Sequence, residues 1–128
     1  MKKLIALVLM SMVSVGAFAD DWKKLGERKV SFKSEKDVIH VSGFKGKYKK
    51  ISLKVEDAPI YLKRITVFFG NGEKQQFFTN KRIERNQRTP VYKLLGGERV
   101  INKVEMSYRT ALGSNYKYAE VKLYGLRD

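Results

Sequence analysis

Four cations stand close together in the second half of the sequence, Lys81, Arg82, Arg85 and Arg88, with Thr79, Asn80, Asn86 and Gln87 among them. Arginine offers a planar fork of N–H donors that matches a carboxylate or phosphate two bonds at a time, and lysine adds a point charge. On a loop or single helical turn between strands, such a cluster predicts an anion-binding site. The competing reading of the same residues is a solvated basic surface without a specific ligand. Further along, Tyr116, Tyr118 and Tyr124 share one parity with Glu120 and Lys122, opposite Ala119, Val121 and Leu123. A strand there would show three tyrosines on its polar face, able to stack sugars or bases. The same tyrosines would equally stabilise a sheet as cross-strand pairs, or pack against the N-terminal segment that carries Trp22. These seven residues are the candidate ligand-binding set.

Catalytic chemistry finds little to work with. A serine or cysteine nucleophile needs a base, usually His, oriented by a third group. The chain has no Cys and one His, and His40, in Val38-Ile39-His40-Val41, reads as an exposed strand residue. Zinc takes three or four ligands from Cys, His and carboxylates, and calcium needs a run of oxygen ligands; neither pattern occurs in this sequence. Glu56 with Asp57, or Glu98 and Glu105, are the available carboxylate pairs for a glycosidase, but solvated turn and strand-face residues describe them better. Gly96-Gly97 is not followed by the Lys-Ser/Thr and helix of a phosphate loop and reads as a hairpin turn. The chain is therefore expected to be noncatalytic, with no cofactor and no metal.

The wider composition sets the setting. The chain has 128 residues, with 27 Lys and Arg against 13 Asp and Glu and no Cys, so no disulfide framework is available. Lys2 and Lys3 precede an apolar stretch over residues 4–15, and Ala17-Phe18-Ala19 forms an A-x-A cleavage site. This is the pattern of a secretory signal peptide, too short for a membrane-spanning helix. Cleavage is expected before Asp20, leaving residues 20–128 as one exported domain, periplasmic or extracellular, without a transmembrane helix. That domain carries a net charge of +12. Such a field attracts polyanions: an anionic polymer, a lipid headgroup or an acidic protein, with no specific nucleic acid implied.

The elements that must position these residues read as strands. Over residues 49–55, Ile51, Leu53 and Val55 alternate with Lys50, Ser52 and Lys54, the period-two pattern of a half-buried strand. Ile65, Val67 and Phe69 repeat it ahead of Asn71-Gly72, a tight-turn pair, after which residues 75–79 return. Val104, Met106 and Tyr108 alternate again, as do Ala119, Val121 and Leu123. Further strands are expected at 29–33, 38–41 and 91–95, and a brief helical turn at 80–86. Seven to nine short strands define an all-β domain, an antiparallel β-sandwich with jelly-roll-like or Greek-key connections, with a small closed β-barrel as the alternative.

Leu25-Gly26, Ile51-x-Leu53, Ile60-x-Leu62 leading to Val67-x-Phe69, Arg99-x-Ile101-x-Lys103-Val104 and Ala119-x-Val121-Lys122-Leu123-x-Gly125 together resemble the YaaI-like proteins, small exported bacterial proteins classed as a domain of unknown function. The resemblance covers most of the mature chain. It implies an exported small β domain and transfers no catalytic residue. The expected function is a noncatalytic binding module for an anionic envelope component, with a structural or assembly protein of the envelope as the alternative.

Overall fold

The computed structural model describes residues 21–31, 35–42, 46–110 and 118–127. Nine strands form: β1 Lys23–Ser31, β2 Lys36–His40, β3 Lys47–Tyr48, β4 Lys50–Glu56, β5 Ile60–Phe69, β6 Lys74–Ile83, β7 Tyr92–Lys93, β8 Arg99–Thr110 and β9 Tyr118–Leu126. They divide into a four-stranded sheet in the order β1-β9-β4-β7 and a five-stranded sheet in the order β2-β8-β5-β6, where β3 also pairs with β8. All pairings are antiparallel. The result is a β-sandwich; two separate open sheets replace the closed barrel held as the alternative.

Alternation in the sequence decides what lies between the sheets. Ile51, Leu53 and Val55 of β4, and Ala119, Val121 and Leu123 of β9, are wholly buried against Ile65 and Val67 of β5 and Val104, Met106 and Tyr108 of β8. Removing this apolar surface from water is the main term favouring the fold. Polar bonds close both margins. At one, the Tyr108 hydroxyl donates to Asp37 at 2.8 Å, and Arg28 Nε donates to the other carboxylate oxygen at 2.9 Å, linking β8, β2 and β1. At the other, Thr89 Oγ1 accepts from the Leu53 amide at 3.0 Å, and Gln75 reaches over to accept from the Leu95 amide at 2.9 Å.

Three expectations need correction. Residues 80–86 make no helical turn: β6 runs on to Ile83, and Asn80 absorbs the register shift opposite Leu62 and Arg64 with a φ of 45°. Asn tolerates that left-handed conformation better than most residues. Gly96 and Gly97, at φ 89° and 80°, do not close a hairpin, because β7 and β8 belong to different sheets. They carry the chain from one layer to the other. Of the N-terminal segment, β1 lies beside β9 in the same sheet. Strand β1 also starts well before residue 29, since the bulge between Lys24 and Gly26 breaks the alternation that marks a strand in sequence. The Asn71-Gly72 turn does join β5 to β6 as a hairpin, with Gly72 at φ 93°.

Candidate functional site

The fold splits the candidate residues between two faces. Lys81 and Arg82 lie on β6, the outer strand of the five-stranded sheet, and Arg85 sits in the turn that follows. Arg82 Nε donates to Glu84 at 2.6 Å. The chain then crosses to the other layer: Asn86, Gln87 and Thr89 bond to the backbone of β4, and Arg88 bridges to Lys54. Arg88 therefore belongs with Tyr124, and its guanidinium lies 4.8 Å from that ring's centroid. Burial lowers the Arg88 pKa, and Tyr124 opposes the shift. Tyr118 is capped by Lys29, 4.4 Å from its centroid. Tyr116 lies outside the described residues.

On the outer face of the four-stranded sheet three lysines are held by carboxylates. Lys122 pairs with Glu56 at 3.0 Å, Lys54 reaches the same carboxylate at 3.5 Å, and Lys24 pairs with Glu27. The Lys122 hydrogen bond holds Glu56 below the usual carboxylate range against a burial penalty, and the same bond raises Lys122. Lysines tied up in such pairs leave less field for an outside anion, while Lys29 and Arg88 on the same face lie over rings.

The outer face of the five-stranded sheet is built differently. Behind the buried Leu62, Ile65 and Val67, the opposite parity of β5 presents Tyr61, Arg64, Thr66 and Phe68. Strand pairing sets these in four cross-strand rows. The first is Arg82–Tyr61–Arg109, and the second is Phe78–Arg64–Ser107–Lys36. The third is Gln76–Thr66–Glu105–Val38, and the fourth is Lys74–Phe68–Lys103–His40. Six Lys and Arg side chains share these rows with one carboxylate, Glu105. Arg109 lies 4.4 Å from the Tyr61 centroid and Lys103 4.8 Å from that of Phe68. A cation over a ring face is attracted by the ring quadrupole without losing its charge to a carboxylate. Among the described residues the only ion pair touching these rows is Arg82–Glu84.

Of the described residues expected to bind ligand, only Arg82 falls in these rows. The others that build it were legible as parity: once Ile65 and Val67 point inward, Arg64, Thr66 and Phe68 must point out. Which strands would lie beside β5, and so which cations would flank its aromatics, was not legible.

Grooves also lie elsewhere, around Arg99. One, of about 610 Å³, runs past Phe69, Glu73, Leu95 and Arg99. The Arg99 fork is already committed: it stacks 3.9 Å from the Phe69 centroid, pairs with Glu73 and donates to the Leu95 carbonyl at 2.8 Å. This is a clip holding the β5–β6 turn to the β7–β8 connection. Among the described residues no three of His, Cys, Asp or Glu converge as a metal site, and no helix is long and apolar enough to cross a membrane.

Fold and surface together define a small basic β-sandwich whose two outer faces differ in how many of their cations are ion-paired. The chain belongs to the DUF2541 family, a domain of unknown function whose model matches residues 4–125. No curated protein matches it. Among solved structures it is similar to part of AlgX from Pseudomonas aeruginosa, at 16% identity and a TM-score of 0.47, over 80% of this chain and 26% of that one. The chain thus spans about a quarter of that protein. It is also similar to the SPBc2 prophage-derived protein YomS, at 13% identity and a TM-score of 0.36, over 78% of this chain and 92% of that one. A third similar structure is the capsid of Helicobacter pylori bacteriophage KHP30, at 18% identity and a TM-score of 0.34, covering 84% and 94% of the two chains.

Proposed function

We propose that the protein is an exported, noncatalytic binding module for an anionic envelope component, and that its ligand lies on the outer face of the five-stranded sheet. The observation that carries this reading is the set of cross-strand rows in which six cations stand among Tyr61, Phe68 and Phe78 with Glu105 as the single carboxylate. Arg109 and Lys103, held over rings, keep their field for a ligand, whereas Lys24, Lys54 and Lys122 of the other face are matched to Glu27 and Glu56. The basic n-region, apolar stretch and A-x-A site of residues 1–19 support export, and the motif pattern shared with the YaaI-like proteins supports the same setting. The lone His40, exposed at the end of β2, supports a noncatalytic role.

The test is retention of purified protein on immobilised lipopolysaccharide, anionic glycan, anionic lipid and DNA across a salt gradient. Preference for one ligand class that persists near physiological salt is expected. Weak retention on every matrix, lost at modest salt, overturns the reading.

One feature favours a second reading, an envelope assembly protein that binds a partner by strand addition. Strand β6 is ten residues long, forms a sheet edge, contains no acid and exposes Phe78. Edges of this kind accept an added strand through main-chain hydrogen bonds. Such binding would be nearly indifferent to salt, which separates it from the first reading.

A further inference from the structure

The three aromatic side chains of the basic face are not equivalent. Tyr61 is capped by Arg109 and Phe68 by Lys103. Phe78 is 68% exposed, the ring most open to solvent of the three. Its register partner on the next strand is Arg64, and Arg82 follows four residues along its own strand. Arg82 is held by Glu84, but both side chains of that pair are about half exposed, and exchanging a surface pair for a ligand carboxylate costs little.

An open ring framed by two guanidinium groups selects its ligand by shape as well as charge. It suits a flat ring with a C–H-rich face to lie on Phe78 and a carboxylate at its rim to take an arginine fork. A pyranose uronic acid has both. A run of nucleic-acid bases needs several stacking faces in succession, and here two of the three rings are occupied by the protein's own cations. The remaining cations set the ligand's length. Arg82 and Arg109 mark one end of the face and Lys74 and Lys103 the other, with Tyr61 and Phe68 seven residues apart on β5. At the rise of a β-strand that separation is about 20 Å, beyond the reach of a single sugar or lipid headgroup.

We infer that the face binds an acidic polysaccharide along β5, with a uronate ring stacked on Phe78 and its carboxylate held by Arg64 and Arg82. This inference rests on the anion-binding reading above and narrows it to a ligand class and a subsite.

The experiment is isothermal titration near physiological salt with oligogalacturonates and oligomannuronates of graded length. Neutral malto-oligosaccharides, single-stranded DNA, polyglutamate and phosphatidylglycerol vesicles serve as comparisons. At least one uronate series should bind, with affinity rising with length and levelling once the chain spans the face. Phe78→Ala should weaken binding by about tenfold, and Phe78→Tyr should keep it. The double variant Arg64→Gln/Arg82→Gln should lose at least as much. Because Phe78 is exposed, its variants should melt as the parent does, which separates lost binding from lost folding. Tighter binding to DNA, polyglutamate or vesicles than to both uronate series overturns the polysaccharide inference and leaves the anion-binding reading standing. Uronate binding unaffected by Phe78→Ala overturns the subsite. Failure to bind any of these polyanions overturns both.

Discussion

The Arg109 guanidinium lies 4.4 Å from the centroid of the Tyr61 ring, and the two residues are direct partners in the β5–β8 register. A one-residue slip of β8 would bury Arg109 and turn the contact into a buried charge. The cation-and-aromatic face and the core are thus fixed by the same pairing. On the opposite sheet, the β4–β9 register places Lys122 beside Lys54, and the two cations share Glu56. The two faces differ in how many of their cations are ion-paired: Lys24, Lys54 and Lys122 on one, and Arg82 in the rows of the other.

That difference predicts which charges matter for polyanion retention. Changing Arg64, Arg82 and Arg109 to Gln should lower the salt concentration at which the protein elutes from an anionic matrix. The charge-matched change of Lys24, Lys54 and Lys122 to Gln should have a smaller effect. Equal losses in the two variants would mean a diffuse field and no localised site.

Arg99 is expected to act on stability and not on binding. It joins Phe69, Glu73, Asn71 and the Leu95 carbonyl. Arg99→Ala should cost about 2 kcal/mol in chemical denaturation, in the range for hydrogen bonds to charged groups. Arg99→Lys should recover only part, because a single ammonium cannot replace a planar fork. Polyanion affinity should stay within error of the parent.

Gly125 has no room for a side chain. A Cβ there would stand 2.8 Å from Leu25 Cδ1 and 2.9 Å from the ring of the buried Tyr48. Gly125→Ala should destabilise by roughly 1–3 kcal/mol, the usual cost of overpacking. Combining it with Tyr48→Leu, which clears the ring, should give a smaller loss than the two single effects added. Strict additivity in a double-mutant cycle would disprove the contact.

Removing the Tyr108 hydroxyl should loosen one margin of the sandwich. That hydroxyl donates to Asp37, whose side chain is 11% exposed and whose other oxygen accepts from Arg28. Tyr108→Phe keeps the ring in the core and should cost about 1–2 kcal/mol. Hydrogen exchange should quicken first in β1 and β2, the strands this link joins.

Acid should weaken the fold through three carboxylates. Glu56 is held below its ordinary value of 4.5 chiefly by Lys122, Glu27 by Lys24, and Glu73 by Asn71 and then Arg99. A lowered folded-state pKa gives stability that is present above the ordinary value and lost as pH falls through the lowered one. The melting temperature should hold from about pH 6 to the ordinary carboxylate value and drop below it. Glu56→Gln should make that drop shallower.

Much of the fold is local in origin and was legible from residue order. Ile51, Leu53 and Val55, then Ala119, Val121 and Leu123, declare strands and their buried faces, because a period of two leaves one side apolar whatever lies opposite. Asn71-Gly72 declares its turn, since a glycine was needed where the backbone takes positive φ. Other features depend on partners distant in sequence. Nothing near Gly125 in the chain signals that Leu25 and Tyr48 will press against it. Nothing near Arg88 signals that it leaves Arg82 and Arg85 for the opposite sheet to lie over Tyr124. Sequence proximity made those arginines look like one cluster, and the crossing between layers separated them. Conversely, Arg64, Phe78 and Arg109 are scattered in sequence and meet only because β6, β5 and β8 lie side by side. Side-chain alternation fixes which way a residue points, but only strand order fixes its neighbours, and strand order is set by packing of the whole core.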